Sequence, residues 1–325
     1  MSLALIFPGQ GAQFVGMGQE LIRSVPAAAR AFREAAAASD LDLEELVFQG
    51  PAERLNETER TQPALVAVSA AVLAALEEHG VRPAAVAGLS LGEYTALVAA
   101  GAARLGEVAA LVRLRGRYMQ EAVPLGEGGM AAVLGLGPGA VERLCAAARG
   151  DLPGPAPAGG WVLEPANFNC PGQIVVAGHA AAVAAAIALG KEFGARRVTP
   201  LPVSAPFHCR LMASAAARLG PAIDRLHLER GRVPVVANVH ARPLAEPEEI
   251  RAALLEQMQR PVLWEDVVRQ LGAMGCDTFV EVGPGRALGG FVSRILPQAR
   301  VLQCCDPESL AQTLSALGEG ARGGA

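Results

Sequence analysis

Short, mostly apolar runs alternate along this chain with longer alanine-rich stretches of helical period. The runs at 4–7, 84–87, 233–237 and 278–282 read as strands buried on both faces. The stretches at 26–38, 63–79, 93–100, 106–123 and 252–259 read as helices. Strand and helix in turn predict an α/β fold around a mostly parallel sheet. The middle of the chain departs from that rhythm. A strand-like 129–135, a helix over 139–148, strand-like 161–167 and 173–177, a helix over 180–193 and a last strand at 197–201 follow one another. That β-α-β-β-α-β order is ferredoxin-like. The reading divides the chain into a discontinuous core, 1–125 and 200–310, and an inserted subdomain, 126–199. Within the insert, the Gly-, Pro- and Ala-rich segment 150–160 is expected to be an exposed loop. The stretch 318–325 is expected to be a flexible tail.

Composition narrows the function classes. Hydrophobic residues make up 51% of 325 residues and aromatics only 4%, so the core is aliphatic and alanine-rich. A net charge of −4, with no interleaving of aromatic and basic residues, argues against a nucleic-acid partner. The longest alanine-rich apolar run, 180–189, is too short to span a bilayer. The apolar start lacks a basic flank and stops at Pro8-Gly9, so it reads as a first strand rather than an export signal. Six cysteines are scattered without metal-ligand spacing, which predicts reduced thiols, no metal site and a cytoplasmic protein. No interface stripe stands out, so a monomer is expected.

Candidate chemistry centres on Gly88-Leu89-Ser90-Leu91-Gly92, between a strand and a helix. This is the spacing of a nucleophile elbow: two glycines permit a sharp turn, the turn lifts the serine hydroxyl off the sheet, and the next N–H, that of Leu91, sits at a helix start where it can stabilise an oxyanion. The pentapeptide alone fits equally a Gly-Ser turn with Ser90 as a helix N-cap. A serine nucleophile needs a base. Of five histidines, His79, His179, His227 and His240 lie in polar or capping contexts. His208 lies in Ser204-Ala205-Pro206-Phe207-His208, where Ser204 as cap and Pro206 in the first turn would set the imidazole at a helix N-terminus and favour its neutral form. A histidine simply packed at a helix start fits the same segment. The acids preceding it, Asp151, Glu164 and Glu192, fall in the insert and are poorly placed to orient it; a backbone carbonyl could hold the N–H instead, with weaker stabilisation of the imidazolium. At 100° per residue, Arg115 falls in the middle of the apolar face formed by Val108, Leu111, Val112, Met119 and Ala122, while Arg113 and Arg117 point away. A core-facing guanidinium cannot lose its charge and needs an anion, either a structural carboxylate or a substrate carboxylate held by a two-pronged pair. Pro8-Gly9-Gln10-Gly11-Ala12-Gln13 is neither a Walker loop nor a dinucleotide fingerprint, but its glycines allow backbone N–H groups close to a ligand.

Together these segments resemble the malonyl-CoA:acyl carrier protein transacylase family over nearly the whole chain. The resemblance is carried by Phe7-Pro8-Gly9-Gln10-Gly11-Ala12-Gln13, Thr61-Gln62-Pro63-Ala64, the elbow with Glu93-Tyr94, Arg115-Gly116 and Met119-Gln120-Glu121-Ala122-Val123-Pro124. It continues through Asn167-Phe168-Asn169-Cys170-Pro171-Gly172-Gln173, Pro206-Phe207-His208 and Glu281-Val282-Gly283-Pro284-Gly285. It implies an α/β-hydrolase-like core with a ferredoxin-like insert, in agreement with the strand order above. It further implies Ser90 as acylated nucleophile, His208 as base, the N–H groups of Gln10 and Leu91 as oxyanion hole, and Arg115 as the holder of the malonyl carboxylate. The main-chain carbonyl of Gln257 would orient His208, and Gln62 and Phe207 would line the substrate pocket. A large residue at the Phe207 position goes, in related acyltransferases, with malonyl in preference to branched acyl units.

The implied reaction moves malonyl from coenzyme A to the phosphopantetheine thiol of acyl carrier protein, for fatty acid or polyketide synthesis, with no metal or redox cofactor. A hydrolase of the same fold and a non-catalytic carrier-binding module are the alternatives. One departure stands out: the family commonly has histidine where this chain has Leu89, so any polar role there is lost while the serine, the following N–H and both glycines remain. Carrier proteins are acidic and this chain is net negative, so docking needs a local basic patch. Lys191, Arg196, Arg197 and Arg210 are the candidates, and they fit a solvated face as well.

Overall fold

The structure is a computed structural model that describes residues 2–150, 152, 157, 159–203 and 205–322. Its larger sheet is built from β1 (Leu3–Phe7), β2 (Ala85–Gly88), β7 (Val235–Val236), β8 (Pro243–Leu244), β9 (Thr278–Val282) and β10 (Arg300–Cys304). The order is β10-β9-β1-β2-β7-β8, parallel throughout except for β8, which pairs antiparallel with β7. β1, β2 and β9 are buried along their whole length, which is why their sequences carry no alternation. In the register, Phe7 faces Gly88, so β1 and β2 end together. Open parallel sheets bind their ligands beyond such carboxyl ends. Here the Pro8–Gln13 loop and the elbow leave the sheet side by side.

The smaller sheet contains β3 (Gly128–Leu134), β4 (Leu163–Cys170), β5 (Gln173–His179) and β6 (Arg197–Pro200) in the order β4-β5-β3-β6, all antiparallel. With the helices Pro138–Gly150 and Ala180–Leu189 this is the ferredoxin-like arrangement expected from the element order. One face of the sheet packs under those helices through Ala131, Val133, Ile174 and Val176. The other face, through Met130, Val175 and Ala177, joins the main core. Two backbone hydrogen bonds, Phe168 N–H to the Val262 carbonyl and Val262 N–H to the Ala166 carbonyl, tie β4 to the larger unit.

Some local expectations change. The helix expected from Pro63 runs Thr58–Glu78, so Pro63 lies inside it. Its extra first turn is fixed by side chains: the Thr61 hydroxyl donates to the carbonyls of Leu55 and Glu57. The helix predicted over 252–259 runs Pro247–Gln257, with the proline in its first turn. His208 is not in a helical first turn. A short 3-10 turn, Arg210–Met212, and then the helix Ala213–Arg225 begin after it, and His208 itself has φ 59°. Ser204, the expected cap, lies outside the described residues, as do Asp151 and several positions of the 150–160 segment. The last helix, Pro307–Arg322, extends into the stretch read as a tail, and 323–325 lie outside the described residues. Among the described residues no helix is long and apolar enough to cross a membrane. The six cysteines are unpaired.

Candidate active site

The elbow is a product of close approach. A Cβ on Gly88 would run into the backbone of Gly92, and a Cβ on Gly92 would run into the carbonyl of Phe7. Gly92→Ala is therefore expected to cost about 2–4 kcal/mol of stability, read as a lowered denaturant midpoint. Between these glycines Ser90 takes φ 52°, a left-handed conformation that side chains disfavour by about 1–2 kcal/mol. Asn238 holds the turn in place: its Oδ1 accepts from the Ser90 N–H at 2.6 Å and its Nδ2 donates to the Gly88 carbonyl at 2.7 Å. Asn238 follows the buried strand β7 at its carboxyl end. A polar residue just past a buried parallel strand is the sequence signal that would have pointed to it.

Ser90 Oγ lies 2.6 Å from His208 Nε2, and His208 Nδ1 lies 2.9 Å from the Gln257 carbonyl oxygen. The Gln257 carbonyl can only accept, so Nδ1 carries the proton and Nε2 faces the serine as an acceptor. Gln257 is the last residue of the helix Pro247–Gln257, and the final carbonyls of a helix have no partner inside it. One of these carbonyls, at the negative end of the helix dipole, thus lies at hydrogen-bond distance from the imidazole, where a triad carboxylate would lie. His208 is buried, and burial, with the nearby Arg115 cation as the second cause, pushes its pKa down to about 4. The neutral form expected from a helix dipole thus has a different origin, desolvation.

Arg115 is 1% exposed on the helix Leu105–Glu121, on the same face as Val108, Leu111, Val112 and Met119. Arg113 and Arg117, on the other side, pair with Asp40 and Glu59 and with Glu121. Gly116 lets this helix approach closely: a Cβ there would collide with the Thr58 carbonyl. The Arg115 guanidinium donates to Gln62 Oε1 at 2.9 Å, to Gln257 Oε1 at 2.9 Å and to Ser90 Oγ at 3.0 Å. It also lies over the Tyr94 ring, 5.2 Å from the centroid. Its buried Nε has no hydrogen-bond partner among the described residues. Neutral acceptors thus hold the cation in place.

A cavity of about 500 Å³ opens over Ser90, His208 and Arg115. Gln10 and Leu91 line it beside the serine, as do Gln62 and Phe207. Met130 and Val175 of the smaller sheet form part of its wall, so the insert completes the pocket. Leu89 also lines the cavity, and it packs against the cluster that contains Ile6, Val236 and Phe291, an apolar setting that suits leucine.

The proposed docking cations do not gather into one patch. Arg197 begins β6, at one edge of the smaller sheet, with Arg196 just before it. Arg210 pairs with Glu164 of β4, at the opposite edge, with N···O 3.4 Å, and donates to the Trp161 carbonyl. Two edges separated by two inner strands are about 14 Å apart. Lys191, Arg196 and Arg197 are exposed but do not line the cavity, whereas Arg286, which was not singled out from the sequence, does.

Residues 4–298 match the acyl transferase domain family. The chain belongs to that family. Members similar to this acyl transferase include the malonyl CoA-acyl carrier protein transacylase of Bacillus subtilis, 43% identical over 317 residues and covering 98% of both chains. A malonyl CoA-acyl carrier protein transacylase structure from Clostridium perfringens superposes with a TM-score of 0.92 at 39% identity, covering 99% of this chain and 98% of that one. A type II PKS acyl-carrier protein in complex with its malonyl-transacylase gives a TM-score of 0.91 at 40% identity, covering 97% and 100%.

Proposed function

We propose that this acyl transferase moves a malonyl group from coenzyme A to the phosphopantetheine thiol of acyl carrier protein through a malonyl-Ser90 ester. The observation that carries the reading is the buried Arg115, whose guanidinium touches the nucleophile at 3.0 Å and has neutral acceptors in Gln62 and Gln257. A malonyl group has its carboxylate one methylene away from the carbonyl under attack. A guanidinium touching the serine hydroxyl is at the range that suits so short a diacid.

His208 Nε2 takes the Ser90 proton as Oγ bonds to the thioester carbon. The N–H groups of Gln10 and Leu91 receive the oxyanion, a type of contact worth about 3 kcal/mol per donor. The tetrahedral intermediate collapses by breaking the C–S bond, and His208 returns the proton to the departing thiolate of coenzyme A. The carrier thiol then attacks the ester by the same steps reversed, which restores the serine. Nucleophile, base, donors and anion holder are all groups of this chain, so the scheme calls on no metal or redox cofactor. Phe207 narrows the pocket against branched acyl groups. The absence of paired cysteines fits work in the cytoplasm.

Mass spectrometry after incubation with malonyl-CoA tests the reading. The expected result is a malonyl adduct on the peptide carrying Ser90, discharged on adding holo carrier protein. Folded protein that never acquires the adduct would support a non-catalytic carrier-binding role. An adduct lost quickly to free malonate without any acceptor would indicate a hydrolase.

A further inference from the structure

Glu93 is a buried carboxylate that the acyl transfer steps do not use. It follows the elbow directly, in the mostly buried helix Gly92–Ala99. Desolvation raises its pKa to about 7, while hydrogen bonds from Gln257 and Asn238 act in the other direction. Its Oε2 accepts from Gln257 Nε2 at 2.9 Å and from the Asn238 N–H at 3.0 Å. Glu93 thus reaches both residues that brace the site.

The Gln257 amide has two unlike ends. Its Nε2 donates to Glu93 and, at 3.0 Å, to the Ser90 carbonyl, and its Oε1 accepts from Arg115 Nη2. Turned over, the amide would set an NH2 group against the guanidinium, donor against donor. The Ser90 carbonyl asks for the same NH2 end while also accepting the Glu93 N–H at 3.2 Å, and Glu93 adds a buried carboxyl acceptor to it. We propose that Glu93 is a positioning residue: by demanding the NH2 end of the Gln257 amide, it keeps the carbonyl end on Arg115 and so holds that guanidinium beside Ser90, where the substrate carboxylate arrives. The proposal rests on Arg115 being the malonyl-carboxylate holder.

The test compares Glu93→Leu, which removes the acceptor, with Glu93→Gln, which keeps one acceptor oxygen in the same shape. Three rates are read: malonyl loading from malonyl-CoA, acetyl loading from acetyl-CoA, and modification of Ser90 by a small neutral sulfonyl fluoride. E93L is expected to lose about tenfold or more in malonyl loading, mainly through a raised KM. Acetyl loading and sulfonyl fluoride modification are expected to stay within about threefold, because neither uses the carboxylate contact. E93Q is expected to keep the malonyl preference. An equal fall of all three rates in E93L, an unchanged malonyl preference, or loss of preference in E93Q as deep as in E93L would each overturn the proposal.

Gln257→Met keeps the main-chain carbonyl but removes the amide. If E93L alone does not fold, the double variant E93L/Q257M against Q257M decides. Equal preference in the two is expected, and a further fall in the double variant overturns the proposal. Wild-type protein that never accepts malonyl refutes the functional reading and this role together. Wild type that loads malonyl beside an unaffected E93L refutes the role alone.

Discussion

Replacing His208 by alanine is expected to slow malonyl loading of Ser90 by about a thousandfold or more, with the folded state retained. A serine hydroxyl is a poor nucleophile unless its proton leaves as the new bond forms, and Nε2 at 2.6 Å is positioned to take it. The same geometry predicts an unusual pH profile. With its pKa down at about 4, His208 loses its proton as pH rises through that value and stays a competent base through neutrality. Modification of wild-type Ser90 by a neutral sulfonyl fluoride should therefore rise around pH 4, not near the ordinary histidine value of about 6.5. Removing the Arg115 cation takes away one of the two causes of the depression, so the rise should move to higher pH in an Arg115→Met variant. Retention of a tenth or more of the loading rate by H208A would contradict the assignment of the base.

The second large effect concerns Arg115. Exchanging it for methionine is expected to reduce malonyl loading by about a hundredfold, while acetyl loading from acetyl-CoA changes little or rises. A charge-assisted pair with a carboxylate contributes about 1.5–3 kcal/mol, and in this site it is made in a desolvated pocket. A neutral acyl group gains nothing from the guanidinium and leaves its buried charge among neutral acceptors, so the native arginine works against it. Steady-state competition between the two thioesters reads the ratio directly. Equal losses for both would show that Arg115 supports the fold of the site and does not select the acyl group.

The parts of this site that were legible in the sequence are those fixed by local periodicity and sterics. A helical wheel suffices to turn Arg115 inward, because the helix Leu105–Glu121 is regular and its apolar stripe is wide. The glycine spacing of the elbow states its own requirement, since only glycine fits against Phe7 and Gly92. What was not legible depends on residues distant in sequence. Asn238 and Ser90 are 148 positions apart, and their contact leaves no mark on either segment alone. Glu93 could have been noticed as an acid in an apolar helix, but nothing local shows what it faces. At His208, local rules favour a helix capped by Ser204 with Pro206 in its first turn. The observed left-handed turn is imposed instead by partners on other elements, Ser90 and Gln257. The docking candidates lie close in sequence, yet Arg197 starts β6 and Arg210 pairs with Glu164 of β4, at opposite edges of the β4-β5-β3-β6 sheet. The role of the Gln257 carbonyl entered through family resemblance, because a main-chain acceptor has no residue type to read.

That last point has a genetic consequence. On the proposed mechanism the group that orients His208 is a main-chain carbonyl, so an alanine scan cannot delete it. Substitution at position 257 disturbs Arg115 and the elbow but leaves the His208 acceptor where it is. Length is the vulnerable quantity. Removing one residue from the interior of Pro247–Gln257 would withdraw the helix end by about 1.5 Å and rotate it by about 100°, carrying the carbonyl away from the imidazole. This helix can therefore drift in composition far more freely than it can gain or lose a residue.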